Sequence, residues 1–118
     1  MKNDLKHRTK IFAHNTVKLV AKLPNDYLSN HIKNQLIRCS TSVAANYRAT
    51  CVAQSKRSFI SKISIVIEEV DESHFWLEFI IDEKLLPSDN CKFLLNEADE
   101  LTRIFISSRK TANLNLKN

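Results

Sequence analysis

Not one glycine occurs in the chain, and proline appears only as Pro24 and Pro87. Tight hairpin turns need residues that accept positive φ, so a β-sandwich with many such turns is excluded. Glycine-rich phosphate loops of the Walker and dinucleotide-binding kinds are excluded for the same reason. Few breaks over 118 residues favour long helices in one domain. A chain of this size needs neither metal nor disulfide to fold.

Apolar spacing divides the chain into four helices. The first is predicted over about 5–22, with Leu5, Phe12, Leu19 and Leu23 on one face and Thr9 and Thr16 filling it. Pro24 disfavours helical geometry at Leu23. The second is predicted over 27–52, with Ile32, Leu36, Cys39, Val43 and Tyr47 in its stripe. Ser55 caps a third helix over 56–84, and Pro87 separates it from a fourth over 89–110 that turns Cys91, Leu94, Ala98, Leu101 and Phe105 inward. Residues 111–118 are expected to fray. Short links make neighbours antiparallel, so the expected fold is all-α, an up-down-up-down four-helix bundle.

The third helix is apolar over more than one face. Phe59, Ile63, Val66, Val70 and Leu77 suit the bundle core. A second stripe holds Ile65, Trp76 and Phe79, with Glu69 and Glu72 between them. A helix in a small monomeric bundle buries one face, so this stripe is expected to meet another subunit. The alternative is a third helix that is simply the most central.

Antiparallel packing sorts the charges. Lys+Arg number 18 against 13 Asp+Glu, a net charge of +5. One end of the bundle is expected to gather Lys2, Lys6, Arg8, Lys10, Arg48, Lys56, Arg57, Lys62, Arg103, Arg109, Lys110 and Lys117, opposed locally by Asp4. Such an end is an electrostatic footprint for phosphates. The expected nucleic-acid contacts are Arg8, Lys10, Arg48, Lys56, Arg57, Lys62, Arg109 and Lys110. The alternative is a solvated charge cluster balanced in part by helix C-terminal dipoles.

A polar seam runs along the second helix through Arg38, Ser42 and Asn46. Hairpin geometry pairs positions of helices two and three whose numbers sum to about 107, which sets Arg38 near Glu69 and Glu72. The matching rule for helices three and four brings Arg103 near Glu69. Two arginines and a carboxylate cluster make a partly buried network, and removing one partner of a buried pair costs about 3–5 kcal/mol. No metal or other cofactor is expected. Cys39, Cys51 and Cys91 lack paired spacing, and no Glu-x-x-His pairs come from facing helices. No nucleophile–base pair is evident, so an enzyme is not expected. No apolar run spans a membrane and the N-terminus is polar, which gives a cytoplasmic expectation.

The run Gln35-Leu36-Ile37-Arg38-Cys39-Ser40-Thr41-Ser42-Val43-Ala44-Ala45-Asn46-Tyr47-Arg48-Ala49 resembles the signature of the four helix bundle protein family, whose founding members are encoded by intervening sequences in bacterial 23S ribosomal RNA genes. Ser55-Lys56-Arg57-Ser58-Phe59-Ile60-Ser61-Lys62-Ile63 and Glu68-Glu69-Val70-Asp71-Glu72-Ser73-His74-Phe75-Trp76-Leu77-Glu78 resemble its next two blocks. Arg8-Thr9-Lys10-Ile11-Phe12-Ala13 resembles its N-terminal motif, and Leu23-Pro24 its first turn. The resemblance implies a four-helix bundle assembled as a ring-like homopentamer. It also relates the chain to the accessory variability determinant of diversity-generating retroelements, a basic pentameric barrel that binds nucleic acid. Many members carry Glu-Gly after the Asn46 block, where this chain reads Arg48-Ala49-Thr50.

These readings converge on a non-catalytic oligomeric protein that binds RNA or another nucleic acid, or serves as a scaffold, through its basic end. An association with ribosomal RNA is the expectation the family adds. The competing expectation is a protein–protein adaptor whose basic end meets an acidic protein partner.

Overall fold

Three short links divide the described residues into α1 (Lys2–Val20), α2 (Tyr27–Cys51), α3 (Lys56–Asp82) and α4 (Ser88–Lys117). The computed structural model describes residues 2–117, with the side chains of 4–116, and no strand occurs among them. Asp26 opens α2 by accepting the Ser29 amide at 2.8 Å, and Ser55 opens α3 by accepting the Ser58 amide at 3.0 Å. Each cap satisfies a backbone donor that the first turn leaves unpaired.

The helix ends depart from the expected bounds, α1 opening at Lys2 and not near Leu5, and three of the departures have a visible cause. First, α1 ends at Val20, ahead of Lys22. The Lys22 and Leu23 amides bond to the carbonyls of Leu19 and Val20, a tightened last turn that tucks Leu23 into the core. Second, α3 stops at Asp82. The Leu85 amide reaches Ile80 O and the Lys84 amide reaches Ile81 O, both at 3.0 Å, while Lys84 sits at φ 56°. This paired bonding closes a helix through a left-handed residue, a place glycine usually fills. Third, residues 111–117 do not fray but continue α4 through Lys117, while Asn118 lies outside the described residues. Thr111, Ala112 and Asn115 line a hollow with Ala53, Gln54 and Ser55 of the α2–α3 turn and Lys56 of α3, so the last turns of α4 stand beside that turn.

The core holds Phe12, Leu19, Ile32, Leu36, Val43, Ile63, Val66, Val70, Leu77, Leu101 and Phe105, all buried. Thr9 and Thr16 are buried too, and each hydroxyl bonds to its own helix, to Leu5 O and Phe12 O respectively. Burying a hydroxyl is tolerated when it is so satisfied. The bundle extends 51 × 22 × 19 Å. Each helix packs mainly on its sequence neighbour, and α1 meets α4 along a narrower seam. No helix among the described residues is long and apolar enough to cross a membrane.

Candidate nucleic-acid interface

The basic residues divide into those with partners and those without. Arg8 is engaged. Its Nη2 lies 2.7 Å from Glu97 and 3.1 Å from Glu100, joining α1 to α4. Hydrogen bonding to Glu97 is the main reason its guanidinium is held more firmly charged than usual. The expectation that Asp4 alone opposes the basic end is therefore corrected, and Arg8 is withdrawn from the free phosphate contacts. The Glu97-x-x-Glu100 spacing, which puts two carboxylates on one face of α4, was the signal for this pair. Arg109 is half-buried and donates to Ser64 Oγ at 3.2 Å. Lys62 is half-buried, whereas Lys10, Arg48, Lys56, Arg57 and Lys110 are exposed. No ion pair engages these last five among the described residues. The side chains of Lys2 and Lys117 lie outside the described residues.

Two hollows show which elements carry the free cations. Lys56 shares the first with Ser107, Thr111 and Asn115, so the start of α3 lies beside the end of α4. Between α1 and α2 runs a groove of about 710 Å³ that brings Lys6 and Lys10 beside Arg48. It was not singled out in the sequence. Its signal is the recurrence of Lys6, Lys10, Ala13 and Val17 at helical spacing opposite Thr41, Ala45 and Arg48.

The polar seam is smaller than expected. Arg38 Nη1 lies 3.4 Å from Glu69 Oε1, and Nη2 donates to Glu72. The Arg38 side chain is 49% exposed against 17% for Glu69 and 35% for Glu72, so the network is partly buried, with the guanidinium at its wet edge. Bonding to Arg38 holds the Glu72 carboxyl below its usual range, helped by Trp76 Nε1, which donates to Glu72 at 3.3 Å. Arg103 does not join. It stands two residues from both buried Leu101 and buried Phe105, which puts it on the solvent face of α4. Asn46 bonds back to Ser42 O at 2.9 Å and takes no part in the α2–α3 link. A second link was missed: the His74 ring lies between Glu78, 3.2 Å from Nδ1, and Asp99 of α4, 3.1 Å from Nε2.

The aromatic face of α3 is also redistributed. Trp76 and Phe79 are half-buried and pack against the core, and Trp76 meets the His31 ring edge-on at 5.5 Å. Ile65 is 42% exposed, and Phe75, which was not expected there, is 51% exposed beside Trp76. Cys39 is buried, and burial pushes its thiol up to about 11. The Ser73 hydroxyl lies 3.2 Å from its sulfur and 2.8 Å from Glu69 O. Among the described residues no three His, Cys, Asp or Glu side chains are placed to hold a metal ion.

Four helices, a buried apolar core and a surface rich in cations define a helical-bundle protein. The sequence pattern of the 23S rRNA-intervening sequence protein family matches residues 1–107, and the chain belongs to that family. It is similar to a crystal structure of a protein of unknown function from the S23 ribosomal protein family of Bacteroides thetaiotaomicron VPI-5482. The two are 31% identical, with a TM-score of 0.83 over 93% of this chain and 99% of that one. No curated protein matches the chain.

Proposed function

We propose that this chain is a non-catalytic, homo-oligomeric protein of the cytoplasm that binds RNA through its basic end, with ribosomal RNA the first candidate. The observation that carries the reading is the set of exposed cations on α2, α3 and α4 that have no ion-pair partner among the described residues: Arg48, Lys56, Arg57 and Lys110. Glu97 and Glu100 are engaged by Arg8, and Glu69 and Glu72 by Arg38. Free clustered cations release counterions from a polyanion, and that release is the main source of sequence-independent affinity. The family's name, which ties it to 23S rRNA, supports the choice of RNA.

The proposed architecture is antiparallel, with protomers closed into a pentameric ring that would turn each basic end into part of a rim. Support for the direction of the helices comes from pairs such as His31 with Trp76 and Arg38 with Glu69, in which the number rises on one helix as it falls on the other. Support for assembly comes from Ile65 and Phe75, apolar and exposed on α3. The absence of catalysis is proposed because the hydroxyls of Thr9, Thr16, Thr50, Ser64 and Thr102 bond to their own helices.

The test is purification without nuclease, with the absorbance ratio read beside the light-scattering mass. Copurifying RNA that is displaced by salt is the expected result. Neutralising Arg48, Lys56 and Arg57 should weaken RNA binding whatever the sequence, while neutralising Lys22 and Lys84 should change little. No RNA binding at low salt would overturn the reading. An acidic protein that stays bound after nuclease digestion would replace it with the adaptor.

A further inference from the structure

The groove between α1 and α2 brings basic and ring side chains together. It is lined by Lys6, Lys10 and Arg48 and by small apolar residues such as Ala13 and Ala44, and none of its lining residues is acidic. His7 and His14 also line it, both exposed and two helical turns apart on one face of α1. No hydrogen bond, ion pair or ring contact engages either ring among the described residues. The groove therefore combines three free cations with two free planar rings along a single track.

Those two kinds of group suit different parts of one ligand. Cations follow phosphates, and planar rings stack on bases that are splayed out of a helix. A duplex offers phosphates but keeps its base faces stacked inside, so it could use only the cations. Tyr47, an aromatic residue close to Arg48 in sequence, is buried against Phe105 and unavailable for stacking. The histidines are what remains beside these cations.

We propose that the α1–α2 groove is a single-strand RNA site, in which Lys6, Lys10 and Arg48 hold the phosphates and His7 and His14 stack on bases. This rests on the RNA-binding reading and moves its centre from the end of the bundle to the groove.

The test measures anisotropy of a short labelled oligouridine, an abasic strand of equal length and a blunt RNA duplex. The single strand should bind more tightly than the duplex. Lys6→Gln/Lys10→Gln/Arg48→Gln should make the log–log salt slope shallower by about 2, the share of three phosphates on a single strand. Lys56→Gln/Arg57→Gln/Lys110→Gln removes equal charge and should weaken binding less. All six positions are exposed, so both variants retain the core. His7→Ala/His14→Ala should weaken oligouridine by about thirtyfold or more while leaving the abasic strand unchanged. A larger loss from the Lys56 variant than from the Lys6 variant would overturn the groove and leave the RNA-binding reading standing. Equal weakening of both strands by the histidine variant, or none, would overturn stacking. If the wild type binds no strand at low salt, groove and reading fall together.

Discussion

Lys84 holds a left-handed backbone, at φ 56°, that costs a residue with a Cβ about 1–2 kcal/mol. Glycine removes that cost and gives part of it back as unfolded-state entropy. Lys84→Gly is therefore expected to stabilise the protein by about 0.5 kcal/mol in a denaturant titration. A loss of stability would show that the lysine makes a compensating contact. Arg38 calls for the opposite revision. Because half of its side chain is exposed, Arg38→Ala should cost about 0.5–1 kcal/mol, the scale of a surface pair, and not the buried-pair cost its sequence position suggested. The paired carboxylate adds a pH signature. Glu72 titrates lower folded than unfolded, so its contribution is present above the usual carboxylate range and fades as pH falls through it. Thermal melts from pH 7 to pH 3 should show a smaller acid loss in Glu72→Gln than in the wild type. On the alkaline side the sign reverses. Cys39, raised to about 11, favours the folded state below its unfolded value and loses that contribution as pH climbs toward 11.

Among the helices, α1 is the least secured. It packs mainly on α2 and touches α4 along a narrow seam that the Arg8–Glu97 pair bridges. Hydrogen exchange should therefore show α1 losing protection before α3, and Arg8→Ala should widen the gap. Equal protection in all four helices would mean that the bundle opens as one unit. Much at this scale was legible in the sequence. The stripes Ile32–Leu36–Cys39–Val43–Tyr47 and Cys91–Leu94–Ala98–Leu101–Phe105 are buried throughout, because burial follows helical period once the helix is long. Helix ends were less legible. The tightened turn after Val20 and the continuation of α4 beyond Lys110 depend on what lies beside them in space, Leu23 in the core and the α2–α3 turn next to Thr111. Side-chain partners were the least legible. Arg8 finds Glu97 across 89 residues, while Arg103 turns outward because its phase on α4 differs from that of Leu101 and Phe105.

For the whole molecule, apolar surface left uncovered is the clearest sign of assembly. Ile65 and Phe75 remain exposed on α3 after the core is complete. We expect a solution mass several times 13.6 kDa by light scattering, lowered by Ile65→Asp/Phe75→Asp. A monomeric wild type at micromolar concentration would refute this. The packing order has a further consequence. Most contacts lie within the helices, and those between helices join chiefly sequence neighbours, so the mean separation along the chain is small. Low contact order predicts folding in microseconds to milliseconds, faster than a ribosome adds one residue. Each helical hairpin can then settle while the next helix is still being synthesised. In the α1–α2 hairpin, α2 still lacks α3 and α1 still lacks α4, so the interval before those helices emerge is the one in which the nascent chain is most exposed to misassociation.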